Sequence, residues 1–248
     1  MLNKKYPIFC GGQQKLAASR ALDTCVIFNH PTKTYLDMDT ERDMPGGVLV
    51  DSDTFWVAGG RLENETALKS TILVTEKGWE QGPDLPLPLY DICMLKINAS
   101  TYAVISRFPE KKVYFYNWDA KNWYLEMETC HPFYVDFGCA YDPKLRRIYF
   151  GGGHRGEAKT GSNLNILELD SLLMTCSTSF PLSFESGSTT LIFYDRYLYY
   201  FNIIKTYPYK KCFDCATETD WTAVENAEMN TRVKFFYMFL PDDLATCN

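Results

Sequence analysis

The sequence predicts an all-β fold built from one unit of about fifty residues used five times, and three observations carry that prediction. The first is punctuation. An apolar run halted by a glycine pair, or by a substitute for it, occurs in "YPIFCGG", "TFWVAGG", "TYAVIS", "RIYFGGG" and "YLYYFN". The second is period: with the pairs placed at 11/12, 59/60, 105/106, 151/152 and 201/202, successive steps are 48, 46, 46 and 50 residues. A second series of large apolar residues, Tyr35, Trp79, Trp123, Met174 and Trp221, advances by 44, 44, 51 and 47. The third is the absence of helical spacing. Short runs rich in Val, Ile, Tyr, Phe and Trp alternate with Gly, Pro, Asn and Asp clusters, which is the pattern of strands and tight turns.

Within one period the runs read as four strands. From Asp91, "DICMLKI" is apolar, "NAS" is a turn and "TYAVIS" is apolar again; after a polar loop "KVYFYN" alternates, and "AKNWYLEM" closes the unit. Runs apolar at consecutive positions suit sheets covered on both faces. One four-stranded sheet cannot bury both faces alone, whereas sheets stacked radially cover one another, so periods of this length point to a propeller. The glycines let the second strand end in a backbone conformation closed to other residues and leave room for the neighbouring sheet, while the outer-strand Trp fills the gap between sheets.

The pattern resembles the kelch-repeat β-propeller. The resemblance rests on the apolar run ending in Gly11 and Gly12, Gly59 and Gly60, or Gly151 and Gly152, then an apolar strand ending near Asn29, Asn117, Asp170 or Asp214, then a Trp four to seven residues later. It covers essentially the whole chain. The third unit departs with Ile105 and Ser106, the fifth with Phe201 and Asn202, and Tyr35 and Met174 stand where Trp is expected. The chain opens in a second strand, Tyr6 to Gly12, and an apolar run at Val233 to Leu240 reads as a first strand. The expectation is a single domain over 1–248, with five four-stranded blades closed by the C-terminal strand joining the N-terminal blade. The alternative is part of a six- or seven-bladed ring.

Composition sets the classes of partner. The chain has 248 residues, 46% hydrophobic, with 25 basic against 31 acidic side chains and a net charge of −6. No block of like charge occurs, so neither nucleic acid nor an anionic membrane is an expected partner. No apolar stretch reaches membrane-spanning length and "MLNKKYPIFCGG" lacks a signal-like apolar region. Nine cysteines, an odd count lying mostly in apolar runs, read as reduced buried thiols, and the expected compartment is the cytoplasm. The sequons at Asn64 and Asn98 point to the alternative, a secreted or ectodomain fragment.

Catalytic patterns are sparse. His30, His131 and His154 sit in no metal or catalytic spacing, no G-x-S-x-G elbow occurs, and "GGGHRGEAKTGSN" is not followed by the helix that a phosphate loop needs. No metal and no cofactor is expected. The C-x-x-C at Cys212 and Cys215 falls on a third strand, where three-residue spacing points side chains to opposite faces. Five-bladed rings also host glycosidases with paired carboxylates. However, Asp51, Asp53, Asp142, Asp195 and Asp242 recur at one place in the period, with Asn98 in the same slot of the third unit, which is turn chemistry.

Antiparallel connectivity brings the loop after each second strand and the loop leading into each first strand to one side. Past the glycine positions lie Arg61, Arg107, His154, Arg155 and Lys205; before the first strands lie Tyr90, Tyr134 beside Phe133, Phe184 and Arg232. Cations and rigid aromatics on one face suit an acidic or mixed polar peptide. The resemblance implies the same use, since kelch propellers mostly bind partner proteins through such a face, as scaffolds or substrate receptors. The expected function is therefore a non-catalytic protein-protein interaction module. The alternative is a propeller enzyme acting on a sugar or sialic-acid-type substrate.

Overall fold

A computed structural model describes residues 7–15, 19–29, 31–130, 133–155, 159–160, 163–177, 188–202, 208–215 and 220–224. The described residues are all-β and contain no helix. Among the described residues the long apolar runs are strands, and they pair as antiparallel meanders.

Five such sheets follow one another. The first holds Ile8–Cys10, Thr24–Asn29 and Thr32–Asp37; the second Gly46–Leu49, Phe55–Ala58, Thr71–Thr75 and Gly78–Gln81. The third holds Tyr90–Lys96, Thr101–Phe108, Lys112–Asn117 and Asn122–Glu128. The fourth is Gly138–Asp142, Arg147–Gly151, Leu164–Glu168 and Leu173–Ser177, and the fifth Thr189–Tyr194, Tyr197–Asn202, Tyr209–Cys212 and Thr222–Ala223. The first described strand of the first sheet, Ile8–Cys10, pairs with Thr24–Asn29, and the run at Val233 to Leu240 expected to complete that sheet lies outside the described residues. The chain groups into two compact units, one holding the first three sheets up to Glu126, the other the last two from Met127.

Burial follows strand position. Phe55–Ala58 is buried at every residue, whereas the outermost strand Asn122–Glu128 alternates between exposed and half-buried. Within each unit neighbouring sheets cover one another. Ile8 and Ile27 of the first sheet pack with Phe55, Val57, Ile72 and Val74 of the second. Trp56 of the second sheet, fully buried, packs against Tyr102, Tyr116, Trp118 and Trp123 of the third at ring separations of 5.4 to 6.3 Å. In the second unit Ala140, Tyr149 and Leu164 form one core with Leu191, Leu198 and Tyr200. Of the outer-strand aromatics, Trp123 fills such a gap and donates its indole N–H to the Asp84 carbonyl at 2.8 Å, but Trp79 and Tyr35 remain 44% and 64% exposed. The gap-filling role therefore belongs to Trp123 and to Trp221, which packs against the core of the fourth and fifth sheets, and not to the whole series.

The glycines act as expected where the next sheet closes in. Gly59 has φ +60°, and a Cβ placed there would lie 2.4 Å from the Leu89 carbonyl oxygen, in the segment leading into the third sheet. In the fourth sheet the register is one residue later than the sequence pattern suggests. Ala58 pairs with Thr71 and Gly151 with Leu164, so the counterpart of Gly59 is Gly152, whose added Cβ would meet the Thr189 side chain. The recurrent Asp/Asn slot is turn chemistry as read. Asp51 Oδ1 accepts the N–H groups of Asp53 and Thr54, Asn98 Oδ1 those of Ser100 and Thr101, and Asp142 Oδ1 those of Lys144 and Leu145.

The cysteines correct the sequence reading. Cys10 with Cys25, Cys130 with Cys176, and Cys212 with Cys215 lie in disulfide contact. Cys25, Cys139 and Cys212 are buried as expected, whereas Cys130 and Cys176 are exposed, and pairing depends on which strands adjoin. Cys10 and Cys25 are opposite one another in the ladder, a fact that residue spacing does not encode.

Candidate functional site

The segment leading into the third sheet meets the exit of the second through two backbone bonds, Gly60 N–H to Leu89 O at 2.9 Å and Asp91 N–H to Met44 O at 3.0 Å. This fixes a small polar and aromatic cluster. Asp43 and Arg61 face each other across the mouth of the second sheet, exchanging backbone bonds of 2.8 Å, and the Arg61 Nε donates to Asp43 Oδ2 at 3.0 Å. At the mouth of the third sheet Tyr90 faces Phe108, their rings stacked with centroids 4.4 Å apart. The two mouths touch, because the Arg61 guanidinium carbon lies 5.2 Å from the Tyr90 ring centroid. Beside them Arg107 Nε donates to Asp91 Oδ2 at 2.6 Å, with Asp91 held at φ +56°.

Electrostatically the cluster is nearly self-neutralised. Partial burial opposes charge on Arg61, but its hydrogen bond to Asp43 and the Asp43 carboxylate outweigh that, so its pKa lies above the ordinary guanidinium value. Glu65, exposed, adds a 3.8 Å contact to Arg61 Nη1. The side chains of Asp43 and Asp91 are 8% and 6% exposed against 23% and 24% for their arginines, so each pair offers its cationic partner outward. Phe108 is 39% exposed. Burial raises the pKa of Tyr102 and Tyr149 to about 12, which leaves both phenols neutral at physiological pH.

Of the residues expected on the binding face, Arg61, Tyr90 and Arg107 converge here. The structure shifts their alignment. Ala58 corresponds to Ile105 by ladder position, so the counterpart of Arg61 is Phe108, not Arg107. Tyr134 lies at the approach to the fourth sheet, its N–H bonded to Gly152 O at 3.0 Å, while the adjacent Phe133 is fully buried against Phe137 and Phe150 and belongs to the core. His154 and Arg155 form one arm of a small hairpin with Lys159–Thr160. Lys205, Phe184 and Arg232 lie outside the described residues. Sequence reasoning missed Asp43, Asp91 and Phe108. Asp43 lies just before the first strand Gly46–Leu49 and Asp91 directly follows Tyr90 within Tyr90–Lys96, so both adjoin the positions at which the aromatics were sought.

Of the candidate glycosidase acids, Asp51 and Asp142 each cap a turn, and Asp242 lies outside the described residues. Among the described residues, the group with metal-ligand geometry is Cys212, Asp214 and Cys215, whose ligating atoms lie within 4.8 Å of one another. With its sulfurs joined it presents no thiolate. A recess of about 530 Å³ lined by Tyr116, Trp118, Trp123, Asp84 and Lys121 opens beside the Trp123 indole. No protein-family profile matches the chain, and no curated protein matches it significantly.

Proposed function

We propose that the chain is a kelch-type β-propeller that binds a partner polypeptide without catalysing a reaction, through the surface where Arg61, Tyr90, Arg107 and Phe108 meet. The single observation that carries this reading is the continuous stack of the Arg61 guanidinium, the Tyr90 ring and the Phe108 ring, anchored from beneath by Asp43 and exposed at Phe108. Rigid aromatics beside arginine are the anchors that dominate protein recognition. Ion pairing of both arginines favours a mixed polar segment over a strongly acidic one. The propeller reading is supported by repeated meanders whose neighbouring sheets cover each other within each unit.

The test is selection from a displayed peptide library on the full chain, followed by affinity measurement with Phe108→Ala and Arg61→Ala. Each truncation is expected to weaken a selected peptide by about ten-fold or more, as loss of an interface anchor does. Selection of peptides indifferent to both changes would sink this surface.

The cysteine pairs favour an oxidising compartment, which is the secreted or ectodomain alternative rather than the cytoplasm. Asn64 is exposed in its sequon, so a glycan on it in eukaryotic expression is the accompanying expectation. No helix among the described residues is long and apolar enough to cross a membrane.

A further inference from the structure

Cys212 and Cys215 flank Phe213 and Asp214 where the third strand of the fifth sheet runs into an exposed turn. On a continuing strand their side chains would diverge. The strand instead ends at Cys212, and Phe213 turns inward onto Tyr149 at a ring separation of 4.8 Å, leaving both sulfurs on one side in disulfide contact. The two are unequal in access: Cys212 is 3% exposed, and Cys215 is only half-buried.

Asp214 Oδ1 lies 3.1 Å from Cys212 Sγ and 4.0 Å from Cys215 Sγ. That carboxylate also accepts from Lys144 Nζ at 2.7 Å and lies 3.8 Å from Arg196 Nη2, both presented by turns of the fourth and fifth sheets. Lys144 and Arg196 offset the Asp214 charge, which at 3.1 Å from Cys212 Sγ would by itself oppose a thiolate. The ring closed by this pair is minimal. A sequence separation of 3, against 46 for Cys130–Cys176, gives about half the loop-closure entropy, so this bond adds less to the fold than the long one does.

We propose that Cys212 and Cys215 form a reversible thiol–disulfide exchange site that reacts with small or protein thiols, with Cys215 as the attacked sulfur and Cys212 as the leaving and resolving thiol. The step balances as follows. An external thiolate attacks Cys215 Sγ, its S–S bond to Cys212 breaks, and the electron pair leaves on Cys212 Sγ, which takes up a proton from water and as a thiol can hydrogen-bond to Asp214 Oδ1. A second external thiol then attacks the mixed disulfide, releasing Cys215 as a thiol and the reductant as its own disulfide. Two thiols are oxidised and one protein disulfide is reduced.

The test titrates the folded full chain with mixtures of reduced and oxidised glutathione, traps thiols by alkylation and maps them by peptide mass, with circular dichroism read in parallel. The expected result is that Cys212 and Cys215 are alkylated together under conditions that leave Cys130–Cys176 oxidised and the spectrum unchanged, and that they re-form on oxidation. In single variants, Cys212→Ser is expected to form a mixed disulfide with glutathione at Cys215, and Cys215→Ser to do so at Cys212 at least about ten-fold more slowly, because the buried sulfur is less accessible. Opening only together with Cys130–Cys176 or with unfolding would overturn the proposal. So would equal rates in the two variants, or two free thiols in oxidising buffer.

Discussion

The second and third sheets solve the same problem differently at the end of their second strands. In the second, the strand stops at Ala58 and the chain turns through Gly59 and Gly60 with φ +60° and +95°. The fully buried guanidinium of Arg42 clamps that turn: Nη1 donates to Gly59 O and Ser70 O at 2.9 Å each, and Nη2 to Asp39. In the third, the strand runs on to Phe108 in ordinary extended backbone, and a hydroxyl suffices, Ser106 Oγ donating to Phe108 O at 2.8 Å. Glycine is thus required where the following segment approaches to van der Waals distance, and a side chain is admitted where it does not. The cost of the glycine solution is a buried charge that must stay paired.

Substitutions sharpen that contrast. The largest expected effect is from Arg42→Met, which strands Asp39 and the clamped carbonyls and should destabilise by about 3–5 kcal/mol in denaturant titration. Ser106→Ala, at the corresponding clamp, should cost only about 1 kcal/mol. Equal losses would dissolve the comparison. Next comes Gly59→Ala, which forces a left-handed backbone and drives its Cβ into the Leu89 carbonyl, for an expected loss of about 2–3 kcal/mol. Ser106→Gly loses the same hydroxyl clamp as Ser106→Ala and is expected to cost at least as much.

At the outer strands, Trp123→Ala should destabilise by about 3 kcal/mol, since this indole joins the Trp56 cluster, whereas the half-exposed Trp79→Ala should cost under about 1 kcal/mol. A larger loss at Trp79 would restore the gap-filling role to the whole series. The smallest effect concerns Asp214, whose carboxyl is held below its ordinary pKa by the hydrogen bond from Lys144, against slight desolvation. A depressed folded-state pKa contributes stability that is present above the unfolded value and lost as pH falls through the folded one. Asp214→Asn should therefore melt slightly earlier near neutral pH, with the difference vanishing in acid.

Much of the fold was legible because its cues are local. Asp51, Asn98 and Asp142 each cap a turn with backbone two and three residues ahead, so their recurrence could be read as turns without coordinates. Buried second strands announced themselves as unbroken apolar runs. The candidate site was half legible. Arg61 and Tyr90 were identified from position in the period, but the one-residue offset that makes Phe108 the counterpart of Arg61 was hidden, because the third unit lacks the glycines that anchored the alignment. Nor could spacing show that Asp43 lies against Arg61 across 18 residues, or Asp91 against Arg107 across 16.

The sequence by itself determined the repeating strands, their turns and the sites where glycine is needed, since these depend on neighbours within a few residues. Tertiary structure alone decided which charges neutralise one another, which cysteines meet, and which aromatic faces outward. Those outcomes depend on how ladders register and how one sheet's exit abuts the next sheet's first strand, a matter of sub-ångström closure that composition and period leave open.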